Sequence, residues 1–246
     1  MPLTRSTRTY FGLVLTLALL AATNVFLPQG KLIGQLELPA SKPVVAVAAF
    51  FMVTVIYGGL GFAGLVLSRK VGFTDLWDSD VTNRQRFLIP AMIGIGIGIF
   101  FIAADAVFQQ FHSLGKIPHP PFPTSVVASI SAGIGEELIF RLFLISLWVW
   151  LLSLVIPGER WRNRIFWIVA SLSGLAFALG HLPSVMAIFG WNSIAEIPTP
   201  IIAEVILLNG LLSLLAASYF RRYGFLSAVG IHFWTDVVWH VIYGLV

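Results

Sequence analysis

Seven long apolar runs, parted by short stretches carrying Pro, Gly or charge, make up most of the chain. They cover roughly Tyr10–Leu27, Val44–Leu67, Phe87–Phe108, Thr124–Ile156, Arg164–His181, Pro200–Phe220 and Phe225–Val246. A helix crosses the hydrocarbon core of a bilayer with about 20 predominantly apolar residues. Each run therefore predicts one membrane-spanning helix, and the whole pattern predicts an all-α polytopic transmembrane bundle. The fourth run exceeds one crossing but contains no Pro, so it reads as one long, tilted helix. The stretch Leu182–Thr199 is semi-apolar, with Pro183 and Pro198 near its ends. It reads as a loop or a re-entrant segment, the latter tolerated only under a cover of protein. The first run follows Arg5 and Arg8. It is too long for the h-region of a signal peptide and more spans follow, so it reads as an uncleaved anchor. Gly94, Gly96 and Gly98 alternate within the third run, where small residues allow close helix packing.

Composition agrees with this pattern. Of 246 residues, 58% are hydrophobic and 11% charged, whereas a soluble domain carries about 25% charged residues. Such a chain cannot cover a globular surface with polar groups and needs lipid as its solvent. The net charge of +4 does not indicate nucleic acid, because the basic residues lie between apolar runs rather than on one polar segment. With the N-terminus in the cytoplasm, the inner segments hold Arg5, Arg8, Arg69, Lys70, Arg84, Arg86, Arg160, Arg162, Arg164, Arg221 and Arg222, and the outer ones Lys31, Lys42 and Lys116. This asymmetry predicts seven spans with the N-terminus inside. An eighth pass within Leu182–Thr199 would put Arg221 and Arg222 outside. Cysteine is absent, which removes disulfides, thiolate metal ligands and a cysteine nucleophile. No soluble domain or linker tract interrupts the runs. The chain divides into an N-terminal part, 1–123, with three spans, and a second part, 124–246, with four.

Charge at membrane depth is expensive and marks function. The candidates are Asp105, Glu136, Glu137, Arg141, His181, Glu204, His232, Asp236 and His240. Glu137 and Arg141 are four apart and share a helix face, so they can neutralise each other. Glu136 points about 140° away from Arg141, five steps of about 100°. The geometry thus reads Glu137–Arg141 as structural and Glu136 as the chemically free carboxylate, suited to taking a proton from water. The competing reading makes all three one packing network. Phe177 and His181 share a face just before Pro183. Alone, such a histidine usually serves to join helices. His232, Asp236 and His240 line one face of the last run and must look into a polar cavity or against other spans, as partners in chemistry or as a ladder between helices.

These patterns, Glu136-Glu137…Arg141, Phe177…His181 and His232…Asp236, in this order on separate apolar helices, resemble the motifs E-E-x-x-x-R, F-x-x-x-H and H-x-x-x-N/D of the CPBP family of intramembrane proteases. That family includes the type II CAAX prenyl endopeptidases and the bacterial Abi, or bacteriocin-immunity, proteases. The approach Tyr223-Gly224-Phe225-Leu226 to the third motif is similar too. The resemblance covers Thr124 to His240. Each motif alone is weak and their ordered combination is specific. It implies hydrolysis of a peptide bond within the membrane, with Glu136 and His181 activating water. His232 and Asp236 would stabilise the oxyanion or complete the water site, and Glu137 and Arg141, with Phe177, would support them. Asp236 stands where Asn is more usual, and an ionised Asp repels an oxyanion. It would have to be protonated, orient His232 or ligate a metal. If a metal is used, Glu136, His181 and His232 are its expected ligands and zinc its expected identity; no H-E-x-x-H is present, and a metal-free glutamate mechanism fits equally. One discrepancy concerns depth. Counted along the helices at about 1.5 Å per residue, Glu136 and His181 lie roughly 25–30 Å from the cytoplasmic ends of their spans and His232 only about 12–15 Å. His240 is the alternative by that count.

Rival chemistries lack their signatures: there is no G-x-S of a rhomboid-like serine site, no Gly-Asp of the aspartyl type and no H-E-x-x-H of the site-2 zinc type. Two non-enzymatic readings stand beside the protease. One is a proton-coupled transporter, for which inverted repeats and interrupted helices would be the sign. The other is a scaffold or immunity protein that keeps the site without using it. The expected partner is a membrane-embedded peptide or protein, lipidated or not, in a bilayer. The short chain has the style of a protein of the bacterial cytoplasmic membrane.

Overall fold

The computed structural model describes residues 4–30 and 40–246. Lys31, counted above among the outer basic residues, lies outside them. Among the described residues there is helix and no strand. Seven helices are long and apolar enough to cross a membrane: α1 Arg5–Asn24, α2 Lys42–Lys70, α3 Arg84–Phe111, α4 Thr124–Val155, α5 Glu159–Phe189, α6 Thr199–Tyr223 and α7 Phe225–Leu245. These are the seven runs of the sequence, several of them extended by polar turns that hydropathy discards. α1 starts at Arg5 rather than Tyr10 because Thr4 caps it, its hydroxyl accepting from the Thr7 N–H at 3.2 Å, so one orphan donor of the first turn is satisfied. α4 is one unbroken helix, as its lack of Pro predicts, widened to π geometry over Leu138–Ile145.

The segment after His181 is helix in its first half and a connection, as the loop reading has it, only from Gly190 on. Helix resumes at once over Leu182–Phe189 and stops at Gly190, which is left-handed at φ 71°. Pro183 interrupts little, because it falls in the first turn of this piece, where no intrahelical donor is needed. Leu182 and Val185 pack on Ile197, Ile201 and Val205 around the start of α6. The piece is a continuation of α5 past a one-turn break at Gly180–His181, and there is no eighth pass.

Close approach between helices is bought with glycine. A Cβ on Gly94 would meet the Ile231 carbonyl and the Trp234 Cβ of α7, and one on Gly98 would meet Val238 and the Thr235 carbonyl. Thr235 donates to the Gly94 carbonyl at 3.2 Å. Gly96, between them, faces open space. On the other side Gly61 and Gly64 of α2 lie against Leu138 and the Leu142 backbone of α4, and the Tyr10 hydroxyl of α1 donates to the Gly58 carbonyl. The main core gathers Tyr10, Leu138, Leu142, Phe166, Phe220 and Phe225, among others.

The basic segments meet at one end of the bundle. The Arg5 and Arg86 guanidinium groups lie over the Trp77 ring at 3.5 and 4.8 Å. Thr74 donates to the Arg221 and Arg222 carbonyls, each at 3.1 Å, and Arg221 donates to Asn163 at 2.8 Å. At that end Phe73 packs edge-on against both Phe166 and Phe220, with ring centroids 5.6 and 5.5 Å away. Despite the depth counted along the sequence, it is His232 that stands beside Glu136, its Nε2 3.7 Å from Glu136 Oε2, whereas His240 Nδ1 lies 3.2 Å from His119.

Candidate functional site

α4, α5 and α7 each deliver one polar turn to a common point. On α4, Glu136 and Glu137 are neighbours and therefore face different walls. Glu137 is fully buried, and its Oε1 lies 3.2 Å from Arg141 Nη1. The same oxygen accepts from His232 Nδ1 at 2.8 Å. Glu137 is thus a bracket between α4 and α7. Arg141, equally buried, lays its guanidinium over the Phe177 ring at 4.5 Å, a cation–π contact that is strong where water is excluded. Sequence alone paired Glu137 with Arg141; its bond to His232, 95 residues away, leaves no mark in either helix's periodicity.

Glu136 keeps its side chain 37% exposed, whereas that of its neighbour Glu137 is sealed. Its Oε2 lies 3.9 Å from His181 Nε2 and 3.7 Å from His232 Nε2. Both rings are fixed from behind. His181 Nδ1 is 2.8 Å from the Phe177 carbonyl, an acceptor only, so Nδ1 carries the proton and Nε2 is turned to Glu136. His232 Nδ1 is committed to Glu137 in the same way. Asp236, one turn on, puts Oδ2 3.5 Å from His232 Nε2. Phe177 is the spacer among them, with its ring centroid 4.8 Å from His181 and 5.7 Å from His232. The break in α5 at Gly180–His181 frees that turn of helix and lets His181 lean toward α4.

Glu136, His181, His232 and Asp236 all line one cavity of about 260 Å³, enclosed by α3–α7 and the α3–α4 connection. On the α6 side Val205, Leu208 and Leu212 give an apolar wall that Glu204 and Asn209 interrupt. No Lys or Arg lines it. Among the described residues no three His, Asp or Glu side chains are close enough to hold an ion as they stand; Glu136, His181 and His232 are the residues that would hold one if a metal is used, and no step of the mechanism passes through it.

His240 also lines the cavity, but away from Glu136. Its Nδ1 is 3.2 Å from His119 Nδ1. His119, in the α3–α4 connection, was not singled out by the sequence. It stacks edge-on against Trp239 at 4.9 Å, and burial, with Lys116 adding to it, pushes its pKa down to about 4. Lys116 pins the same connection by donating to the Tyr243 carbonyl at 3.0 Å. Nothing in the local pattern of a Pro-rich loop marks a residue that closes a cavity. Asp105 and Glu204, the two remaining deep carboxylates, are fully buried. Asp105 accepts from Gln109 at 2.5 Å and from the Tyr243 hydroxyl at 2.6 Å. Asp105 thus joins α3 to α7, and Glu204 of α6 lines the same cavity as Glu136 with no hydrogen-bond partner among the described residues.

The seven-helix bundle thus holds a carboxylate and two back-anchored imidazoles in one internal cavity. Residues 118–238 match the family model described as Rce1-like, type II CAAX prenyl endopeptidase Rce1-like. Over this half the chain belongs to the CAAX-protease (CPBP) family, as its three motifs imply. It is therefore an integral membrane protein of a family of membrane proteases. No curated protein and no solved structure matches the chain.

Proposed function

We propose that this protein is an intramembrane endopeptidase of the glutamate type that cleaves a membrane-anchored peptide or protein, with Glu136 as the base. The observation that carries the proposal is the convergence of His181 Nε2 and His232 Nε2 on Glu136 Oε2 at 3.9 and 3.7 Å. Those separations are too long for direct hydrogen bonds and suit one water shared among the three groups. Glu136 takes a proton from that water and the oxygen attacks the scissile carbonyl carbon. In its doubly protonated form His232, with Glu137 as counter-ion at Nδ1, offers Nε2–H to the oxyanion. Glu136 then returns its proton to the leaving amine as the C–N bond breaks. His181 holds the water, Asp236 orients His232, and Glu137, Arg141 and Phe177 keep the two rings in place. The charge asymmetry of the loops supports a cytoplasmic N-terminus.

The experiment is cleavage of a membrane-tethered reporter library by the purified full chain, wild type beside Glu136→Gln, with and without chelator. Cleavage that vanishes in the variant and ignores the chelator is the expected result. Wild-type cleavage that a chelator abolishes and zinc restores would replace the glutamate mechanism with a metal one. A wild type inert across a broad library would leave the scaffold or transporter reading in its place.

A further inference from the structure

At the basic end, α5 and α6 part to form a groove of about 310 Å³ lined by Asn163, Phe166, Trp167, Ser218, Arg221 and Arg222. Arg221 forms the groove's inner wall. Its guanidinium is fixed by Asn163 at 2.8 Å and by the Phe166 ring at 4.6 Å, so its direction is set before any ligand arrives. On its far side Arg221 lines a second cleft with Arg162 and Glu159. Among the described residues no carboxylate lies within 4 Å of Arg162, Arg221 or Arg222, in contrast to Arg69 and Arg141, which are both paired. The corner thus sets three arginines against one carboxylate, Glu159, that pairs with none of them. The groove also runs onto an apolar strip: Trp167, Ile168 and Leu172 of α5 and Leu207 and Leu214 of α6 are exposed, as lipid-facing residues of a spanning helix are.

A ligand that satisfies both halves carries a phosphate beside acyl chains. We propose that this groove binds the headgroup of an anionic phospholipid. The phosphate sits against Arg221 and Arg222, Ser218 supplies a neutral donor, and the acyl chains lie along Trp167, Leu172 and Leu214. Basic pockets between helices on the inner side of a membrane bind such headgroups, with each Arg near the surface worth about 1 kcal/mol. The site is separate from the cavity around Glu136. It bridges α5 and α6, and α5 carries His181.

The test is native mass spectrometry of the detergent-purified full chain titrated with phosphatidylglycerol, phosphatidylcholine or inorganic phosphate. Phosphatidylglycerol is expected to bind and phosphatidylcholine to bind at least tenfold more weakly. Arg222→Gln is expected to weaken phosphatidylglycerol roughly fivefold and Arg221→Gln with Arg222→Gln roughly twenty-five-fold. Arg84→Gln, at the same end but outside the groove, should leave binding unchanged. Equal loss in Arg84→Gln, or equal binding of the two lipids, overturns the site. Inorganic phosphate that binds with the same sensitivity to Arg222→Gln where phosphatidylglycerol does not bind replaces the lipid with a soluble anion. The Arg222 side chain makes no hydrogen bond among the described residues, so Arg222→Gln carries the test even where the double variant fails to fold.

Discussion

At the scale of single residues, adjacent carboxylates have opposite fates. Glu136 is open to the cavity and Glu137 is sealed between Arg141 and His232. Glu136→Gln should lower the cleavage rate by about 10²–10⁴-fold, the range of general acid–base catalysis, while the thermal midpoint in detergent hardly moves. Glu137→Gln should do both. It leaves Arg141 without its buried counter-charge, a loss of roughly 3–5 kcal/mol, and unpins His232, so a lower midpoint and a lost rate should appear together. A Glu136→Gln variant that unfolds, or a Glu137→Gln variant of normal stability, would contradict this division. The division itself was legible in the sequence, because a step of about 100° per residue sends neighbours to different walls. The bond from Glu137 to His232 was not, because it depends on how two helices dock.

At the scale of helices, the small residues of α3 give a sharp contrast. Gly94→Ala pushes a methyl group into the Ile231 carbonyl and the Trp234 Cβ. Overpacking of this kind costs about 1–3 kcal/mol, and because it displaces α7 it should also slow cleavage. Gly96→Ala meets nothing and should stabilise the helix by up to about 1 kcal/mol. Thermal unfolding of the two variants side by side checks the pair; equal midpoints would mean that α3 and α7 do not pack as described. Spans and small-residue faces could be read from the chain because hydropathy and periodicity are local. Helix ends could not, since α1 is lengthened by a threonine cap and α5 resumes past Pro183. The seat of Phe73 between Phe166 and Phe220 was likewise hidden, because it joins three separate segments.

At the scale of the whole molecule, the α3–α4 connection closes the cavity opposite the basic end. His119 has its pKa lowered to about 4 by burial first and Lys116 second, from an ordinary value near 6.5. The sign follows from proton counting: between those values the opened loop binds a proton that the closed loop refuses, so closure weakens as pH falls and is fully present above about pH 6.5. Hydrogen exchange over residues 112–123, corrected for intrinsic rates, should therefore accelerate between pH 7 and about pH 5, and His119→Gln should remove that dependence. A flat profile in the wild type would separate His119 from closure.

The last helix carries His232, Asp236 and His240 along one side, and more than half of its most apolar window is buried inside the bundle. A segment of this kind is a poor substrate for the insertion machinery when presented alone, because its polar side has nowhere to go but lipid. The segments that accept that side, α4, α5 and the α3–α4 connection, are all synthesised before it. Chain order therefore acts as a safeguard during biogenesis: the cavity is completed only when α7 enters an assembled set of neighbours, and a chain stalled at six helices holds Glu136 and His181 without His232 or Asp236. Fusing a glycosylation reporter after α7 would measure this directly, with efficient insertion expected behind the first six helices and poor insertion when α7 is placed alone behind a neutral leader.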